Sequence, residues 1–481
     1  MNCRTLLYIV ICSCGVSSGP AHLEADESLT RDEAASALRK AVGFFRRRVS
    51  ANGGYLWRYS PDLSLREGER KAGVRTAWVQ PPGTPTVGGA YLRAHQLTGD
   101  AYYLGAARET ALALVAGQLR SGGWDYRIEF DPRERRRYAN RVDRKSNRRR
   151  NVTTLDDNTT QSAVRFLMRF DQVTRFKEAK VHAAVSYALS SLLKAQYPNG
   201  AWPQRFSTFP NPEEFPVLKA SFQKTWSRKF PRKKYNRYYT FNDNSIADMI
   251  DVMFLARDIY GDKRYQAAAE KAGRFILLAQ LPEPQPGWAQ QYDHNMHPAW
   301  ARRFEPPAVT GGESQGIMRT LMLLYRRTGN KKYLKPIPRA LAYYKKSLLP
   351  DGRLARFYEI RTNRPLYFVK DTYELTYSSD NMPTHYGFIV GSRLDSIERE
   401  YKKLRRTDPA KLNPPTKQPV YRLSAGLARR AKSVVAAMDS RGAWVTAGSL
   451  KYAGKTKRVI DSRTFIKNVE TLARFLAAAP K

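Results

Sequence analysis

Acidic and amide side chains crowd two short stretches of a strongly basic chain. "TTLDDNTTQSAVRFLMRF" places Asp156, Asp157 and Asn158 directly after the run "RRRYANRVDRKSNRRRN", and "YYTFNDNSIADMI" holds Asn242, Asp243 and Asn244. Carboxylate and amide oxygens are hard donors of the kind Ca2+ takes. The same residues are also what a helix start needs, because a side-chain oxygen there accepts orphan backbone N–H groups and a carboxylate favours the helix dipole. Each stretch alone leaves both readings open. Two such clusters at one position of neighbouring repeats would lie near each other across a shared mouth, where one cation would serve both.

Two more stretches carry polar residues that packing does not explain. "GWAQQYDHNMHPAWARRFEPPAVTGGESQGI" brings Gln291, Asp293, Arg302, Arg303 and Glu305 into one long loop before a helix, and "RLARFYEIRTNRPLYF" sets Arg356, Arg361 and Arg364 among aromatics. Arginine forks match carboxylates through two parallel hydrogen bonds, and aromatic rings stack on sugar faces. His294 and His297 are spaced three apart in a Pro- and Trp-containing loop with no Glu at zincin spacing, which argues against a zinc pair.

The elements that must position these residues form a recurring unit. A helix runs into a turn of Gly-Asp or Gly-Asn type beside a Tyr, then a second helix, then a Gly-aromatic stretch, as in "TGDAYYLGAARETALALVAGQLRSGGWDY" and "YGDKRYQAAAEKAGRFILLAQLPEPQPGWAQQ". The spacing of roughly 65 to 90 residues is longer and less regular than in stacked solenoids. In "SIADMIDVMFLARDIY", Ile246, Met249, Ile250, Met253 and Phe254 recur at helical spacing, so a broad face must be buried against neighbours. The pattern predicts an all-α dominated fold, an incomplete α/α toroid of helical hairpins, with long loops and short strands gathered on one face. Residues 26–404 are read as the toroid, 405–420 as a Pro- and Lys-rich linker, and 421–481 as C-terminal helices packing on the ring.

Composition narrows the partners. Of 481 residues, 83 are Lys or Arg and 43 are Asp or Glu, a formal net charge of +40 that raises the local concentration of polyanions. The first 25 residues, with Arg4, the apolar run "LLYIVICSCGV" and "SSG", have the form of a secretory signal peptide. All three cysteines, Cys3, Cys12 and Cys14, fall inside it, which leaves the mature chain without a disulfide, a thiol nucleophile or a thiolate metal site. "ICSC" is a poor lipobox, so a soluble secreted or periplasmic protein is expected over one anchored through Cys14. No other apolar stretch is long enough to span a membrane. Export argues against nucleic acid as the polyanion, whereas an acidic polysaccharide fits both charge and export. A monomer is expected.

At these stretches the sequence resembles the family 10 polysaccharide lyases, pectate lyases with an α/α toroid. The family pattern "TTIDNDATTTQLRFL" is echoed by "TTLDDNTTQSAVRFL", "YPNGGWPQ" by "YPNGAWPQ", "YITFNDDAM" by "YYTFNDNSI" and "WCAQHD" by "WAQQYD". Further on, "ARAYELPSLSGSESVGI" is matched by "ARRFEPPAVTGGESQGI", and "RFYDIGTNRP" by "RFYEIRTNRP". Order and spacing agree over roughly residues 80 to 370. The resemblance implies Ca2+-assisted β-elimination of polygalacturonate, with Ca2+ on Asp156, Asp157 and Asp243. It implies Arg302 as the base at C5, and Arg364, Arg356, Arg303, Gln291 and Trp202 on the substrate. An arginine base requires a strongly cationic setting and alkaline conditions, and the net charge suggests such a setting. Asp157 stands where the family has Asn, Tyr292 where it has His, and Asn244 where it has Asp.

Two other classes are open to the residues. "QLRSGGW" and "QYPNGAW" fit the Q-x-x-x-G-x-W repeat of squalene-type terpene cyclases, but the D-x-D-D proton donor of those enzymes is missing from this sequence. A non-catalytic acidic-polysaccharide-binding protein would keep the basic surface without needing Arg302, Asp156 or Asp243. A glycoside hydrolase on the same scaffold would use a paired acid and base and give reducing ends without an unsaturated product.

Overall fold

The computed structural model describes residues 28–144, 149–413 and 420–479. The signal stretch 1–25 with its cysteines, and part of the expected linker, lie outside the described residues. The helices in chain order are α1 (Arg31–Phe44), α2 (Thr84–Thr98), α3 (Ala101–Gly117), the single turn α4 (Pro132–Arg135), α5 (Thr159–Val173), α6 (Ala179–Lys194), α7 (Ser245–Tyr260), α8 (Lys263–Leu278), α9 (Glu313–Thr328), α10 (Ile337–Lys346), α11 (Leu394–Arg406), α12 (Ala425–Ala436) and α13 (Ser462–Ala478). The inner wall runs α13, α2, α5, α7, α9, each packed on the next, with α3, α6 and α8 outside their partners α2, α5 and α7. Helix α11 packs on α9 and α10, while α1 and α12 flank α13. Helices α11 and α13 do not close against each other as the other neighbours do, so the architecture is an incomplete α/α toroid.

The Gly-Asp turns explain the hairpins. Gly99, Gly261 and Gly329 take left-handed φ of +76°, +73° and +69°, ending α2, α7 and α9 with N–H bonds back to His95, Arg257 and Tyr325. The next residue, Asp100, Asp262 or Asn330, accepts a backbone N–H at the start of the following helix. One dipeptide thus stops the inner helix and starts the outer segment.

The Gln and Trp side chains of the Gly-aromatic stretches are staples between repeats. Gln118, Gln196 and Gln280 each donate to a carbonyl of their own turn (Gly122, Gly200, Pro286) and to one in the next outer segment (Ala184, Ala268, Pro336), at 2.8–3.1 Å. Trp124, Trp202, Trp288 and Trp444 are buried, each with its indole N–H on a carbonyl near the end of the preceding helix. Packing therefore accounts for the motif shared with terpene cyclases.

Short ribbons link adjacent hairpins at one mouth of the ring. Thr153–Thr154 pairs antiparallel with Arg205–Phe206 in the register Thr154↔Arg205, and Tyr239–Thr240 pairs with Gln291–Tyr292 in the register Thr240↔Gln291. Each first strand leads directly into an acidic stretch and then an inner helix. At the chain ends, Arg458–Asp461 pairs with both Arg58–Tyr59 and Val445–Ala447, tying the C-terminal segment to the N-terminal one.

Candidate metal and substrate site

The two acidic stretches fold into the same turn. Thr154 and Thr240 accept, on Oγ1, the backbone N–H groups of Asp156 and Asn242 at 3.2 and 3.1 Å. The next two residues then adopt left-handed backbone: Asp157 (φ 49°) and Asn158 (φ 58°) before α5, Asp243 (φ 48°) and Asn244 (φ 56°) before α7. Asp and Asn bear this conformation at less cost than other residues with a side chain, which is why the motif uses them. Since α5 and α7 are neighbours in the wall, the two turns meet, and one carboxylate oxygen from each of Asp156, Asp157 and Asp243 lies within 4.8 Å of the others. No side-chain bond caps either helix here, so the acids are released from the capping role that sequence alone left open.

The cluster is under-neutralised despite the basic chain. Asp156 is held by Tyr126 (2.9 Å), Gln204 (3.0 Å) and Arg205 (3.0 Å). Burial, then the charges of the neighbouring acids, push the Asp157 carboxyl up to about 6 and the Asp243 carboxyl up to about 7. Three hard oxygen donors that repel one another form a set suited to a divalent cation, and the donor chemistry fits Ca2+. Behind them, Arg165 on α5 donates to Asn158 Oδ1 (2.8 Å) and to Asp248 Oδ1 on α7 (2.6 Å), fastening one turn to the helix that carries the other.

Arg302 lies near enough for its charge to act on Asp157 and Asp243, but is itself paired. Its Nε and Nη2 donate to the two oxygens of Glu305 at 2.8 and 2.5 Å, and its backbone N–H also bonds Glu305. Burial works against the charge on Arg302, but the hydrogen bonds and charge of the buried Glu305 more than offset it, so Arg302 holds its proton more tightly than an ordinary arginine. The cationic setting expected for a base at this position is therefore corrected: the net charge of the chain is outweighed locally by one buried carboxylate in contact. Gln290 joins the two halves, with Nε2 donating to Glu305 (2.7 Å) and to Asn242 Oδ1 (2.9 Å), while Asn242 in turn donates to Asp243.

The remaining expected residues divide. Arg356 and Arg302 both lie over the Tyr386 ring, at 4.7 and 5.6 Å, and Arg356 lines a cavity of about 510 Å³ together with Asp243, Asn244, Glu313 and Arg393. Arg303 stacks on Tyr373 at 3.5 Å, and Arg364 on Tyr377 at 3.4 Å, exposed at the rim. Gln291 and Trp202 are not presented to a ligand. Gln291 is 3% exposed with its amide on the Ala299 carbonyl, and Trp202 is 1% exposed as one of the staples. Their places in motifs reflect strand pairing and repeat packing. Tyr292 is likewise buried, donating to the Ala279 carbonyl. Sequence reasoning missed Tyr126, Arg205, Gln290, Tyr386 and Arg165. Arg205 and Gln290 sit within or directly after quoted motifs, whereas Tyr386 comes from a distant loop with no motif of its own.

Fold and site together define an α/α-toroid protein with an acidic, metal-capable group beside arginines. The model of the family described as pectic acid lyase matches residues 118–353, the segment that holds both acidic turns and Arg302 and most of the motifs behind the resemblance seen in the sequence. Among solved structures, the family 10 polysaccharide lyase from Cellvibrio cellulosa is 21% identical with a TM-score of 0.45, covering 64% of this chain and 97% of that one. A mutant of that lyase in complex with trigalacturonic acid is 20% identical, TM-score 0.45, covering 66% and 98%. Cellobiose 2-epimerase from Bacillus thermoamylovorans is 13% identical, TM-score 0.45, covering 92% and 98%. No curated protein matches the chain.

Proposed function

We propose that this protein is a polysaccharide lyase that cleaves polygalacturonate, or a closely related polyuronate, by Ca2+-assisted β-elimination outside the cytoplasm. The observation that carries the reading is the meeting of Asp156, Asp157 and Asp243 from two equivalent turns, near Arg302 and beside the cavity lined by Arg356. Asp156, Asp157 and Asp243 would hold Ca2+, which when bound neutralises the uronate carboxylate so that charge can build on it in the transition state. Arg356 and Arg364 bind further carboxylates along the polymer, and Tyr373, Tyr377 and Tyr386 keep the arginine planes in place. Arg302 in its neutral form, its own proton having gone to solvent hydroxide, takes the proton at C5, the C4–O bond breaks, a C4=C5 double bond forms, the leaving oxygen is protonated from solvent, and Arg302 gives the C5 proton up to solvent before the next turnover. Because Glu305 strengthens the hold of Arg302 on its own proton, the rate climbs with pH through the alkaline range.

The test is the ultraviolet absorbance of an unsaturated uronide when purified protein, Ca2+ and polygalacturonate are mixed at alkaline pH. A rise that is lost in Arg302→Ala and on chelation supports the reading. New reducing ends without absorbance would make the protein a hydrolase, and binding without either product would make it a non-catalytic polysaccharide-binding protein. The N-terminal stretch 1–25 supports export, and no described helix is long and apolar enough to cross a membrane. Cleavage of that stretch is read by the mass and N-terminus of the mature protein.

A further inference from the structure

The segment from Phe215 to Asn242 contains eight Lys and Arg and no Asp or Glu. All eight are exposed. Two are tied down, Arg228 to Glu359 and Arg237 to Glu214. The side chains of the other six, Lys219, Lys224, Lys229, Arg232, Lys233 and Lys234, form no ion pair or hydrogen bond among the described residues. Like charges held this close repel, and a fold keeps such a run only at a cost to its own stability.

The run is not a free tail. The Lys224 and Gln223 carbonyls accept from Arg361 at 2.8 and 2.7 Å, the Gln223 amide donates to the Pro298 carbonyl (3.0 Å), and the Ser227 carbonyl accepts from the Trp300 indole (2.9 Å). Phe230 packs on Trp300 at 5.7 Å. Arg228 lies over the Tyr377 ring that also carries Arg364, so the segment joins the arginine rim at one end. At the other end it passes through Tyr235, half-buried within reach of the charges of Arg302 and Asp156, into the Tyr239–Thr240 strand and the turn of Asp243. Fixed backbone with free cationic tips, spanning from the acidic cluster to the rim, is a track for a linear polyanion.

We infer that residues 219–234 form a second polyanion-binding surface, outside the cavity, that grips polyuronate sugars beyond those at the reacting bond and makes the protein favour long chains over short ones. The inference rests on the polyuronate reading above. One carboxylate per sugar along a linear chain gives repeated, modest contacts, and their strength is set by counterion release and so by salt.

The test compares wild type with the quadruple variant Lys229→Gln, Arg232→Gln, Lys233→Gln, Lys234→Gln, all exposed side chains, after circular dichroism and melting confirm an unchanged fold. Kd for polygalacturonate and for trigalacturonate is measured from low to moderate salt, together with turnover of each. The expected result is an approximately tenfold weaker Kd for the polymer at low salt, a shallower salt dependence, and a trimer affinity within about twofold of wild type. Equal weakening for polymer and trimer, or no weakening for either, overturns the proposal. If duplex DNA displaces the polymer at equal charge concentration, commitment of the surface to polyuronate is overturned. If wild type yields no unsaturated product yet the variant still loses polymer binding selectively, the surface stands and the catalytic reading falls.

Discussion

Asp243 and Asp157 carry opposite demands, since the fold penalises their charge and the proposed chemistry requires it. Their carboxyls sit above the ordinary 3.8, at about 7 and about 6. A raised folded-state pKa contributes stability that is present below about pH 4 and is lost as pH rises through 6 to 7. In chelator, Asp243→Asn is therefore expected to melt at the same temperature as wild type near pH 4 and at a higher one above pH 7. Added Ca2+ should raise the melting temperature of wild type far more than that of the variant, because ligands must be deprotonated to bind the ion. Arg302 lies at the other extreme. Glu305→Gln removes the charge that raises its pKa, so the rising limb of the pH–rate profile should move to lower pH, with a roughly tenfold or greater loss of maximal rate as Gln290 and Tyr386 exchange a charged acceptor for a neutral amide oxygen. The acids were legible in the sequence because Asp-Asp-Asn and Asn-Asp-Asn occupy matching positions. The Glu305 pairing was not, because a residue three positions from an arginine in a loop has no defined direction until the backbone is fixed.

Helix hairpins, their Gly-Asp turns and the ring they build were readable from apolar periodicity and from the dipeptides that end one helix and cap the next. What periodicity could not reveal is which conspicuous residues are mortar. Trp202 looks like a sugar platform beside a Gly, yet the inter-repeat staple claims it. Gln196→Ala removes one half-buried amide and strands the Gly200 and Ala268 carbonyls, a loss of about 1–2 kcal/mol that thermal or denaturant melting would detect with Ca2+ affinity unchanged. Gly200 is tighter still: its φ is +104° and a methyl group there would sit 2.0 Å from the Lys271 carbonyl oxygen, so Gly200→Ala should be more damaging than Gln196→Ala. Arg165→Met tests the fastening between α5 and α7. With the turns of Asp157 and Asp243 no longer braced, calorimetry should show Ca2+ affinity reduced about tenfold or more, with a smaller loss of melting temperature in chelator and partial rescue by Arg165→Lys.

At the scale of the molecule, charge and connectivity set the behaviour. The surplus of cations should make polyuronate turnover fall steeply with ionic strength, while the compact acidic cluster, partly shielded from solvent, should retain Ca2+ over the same range. The C-terminal segment is not an accessory to the ring, since α13 packs on both α1 and α2. Truncation at residue 420 should bare the apolar face of α2 and yield a protein that binds hydrophobic dyes and aggregates, as judged by fluorescence and light scattering. The staples also dictate a timetable for synthesis. Gln118 cannot complete its hydrogen bonds until Ala184 has been translated, Gln196 must wait for Ala268, and Gln280 for Pro336, so each newly emerged repeat stays unfinished until its successor leaves the ribosome. The first repeat waits longest, because α13, which seals α2, is translated only after every other repeat of the ring, and the bare face of α2 must therefore be protected while those repeats are made.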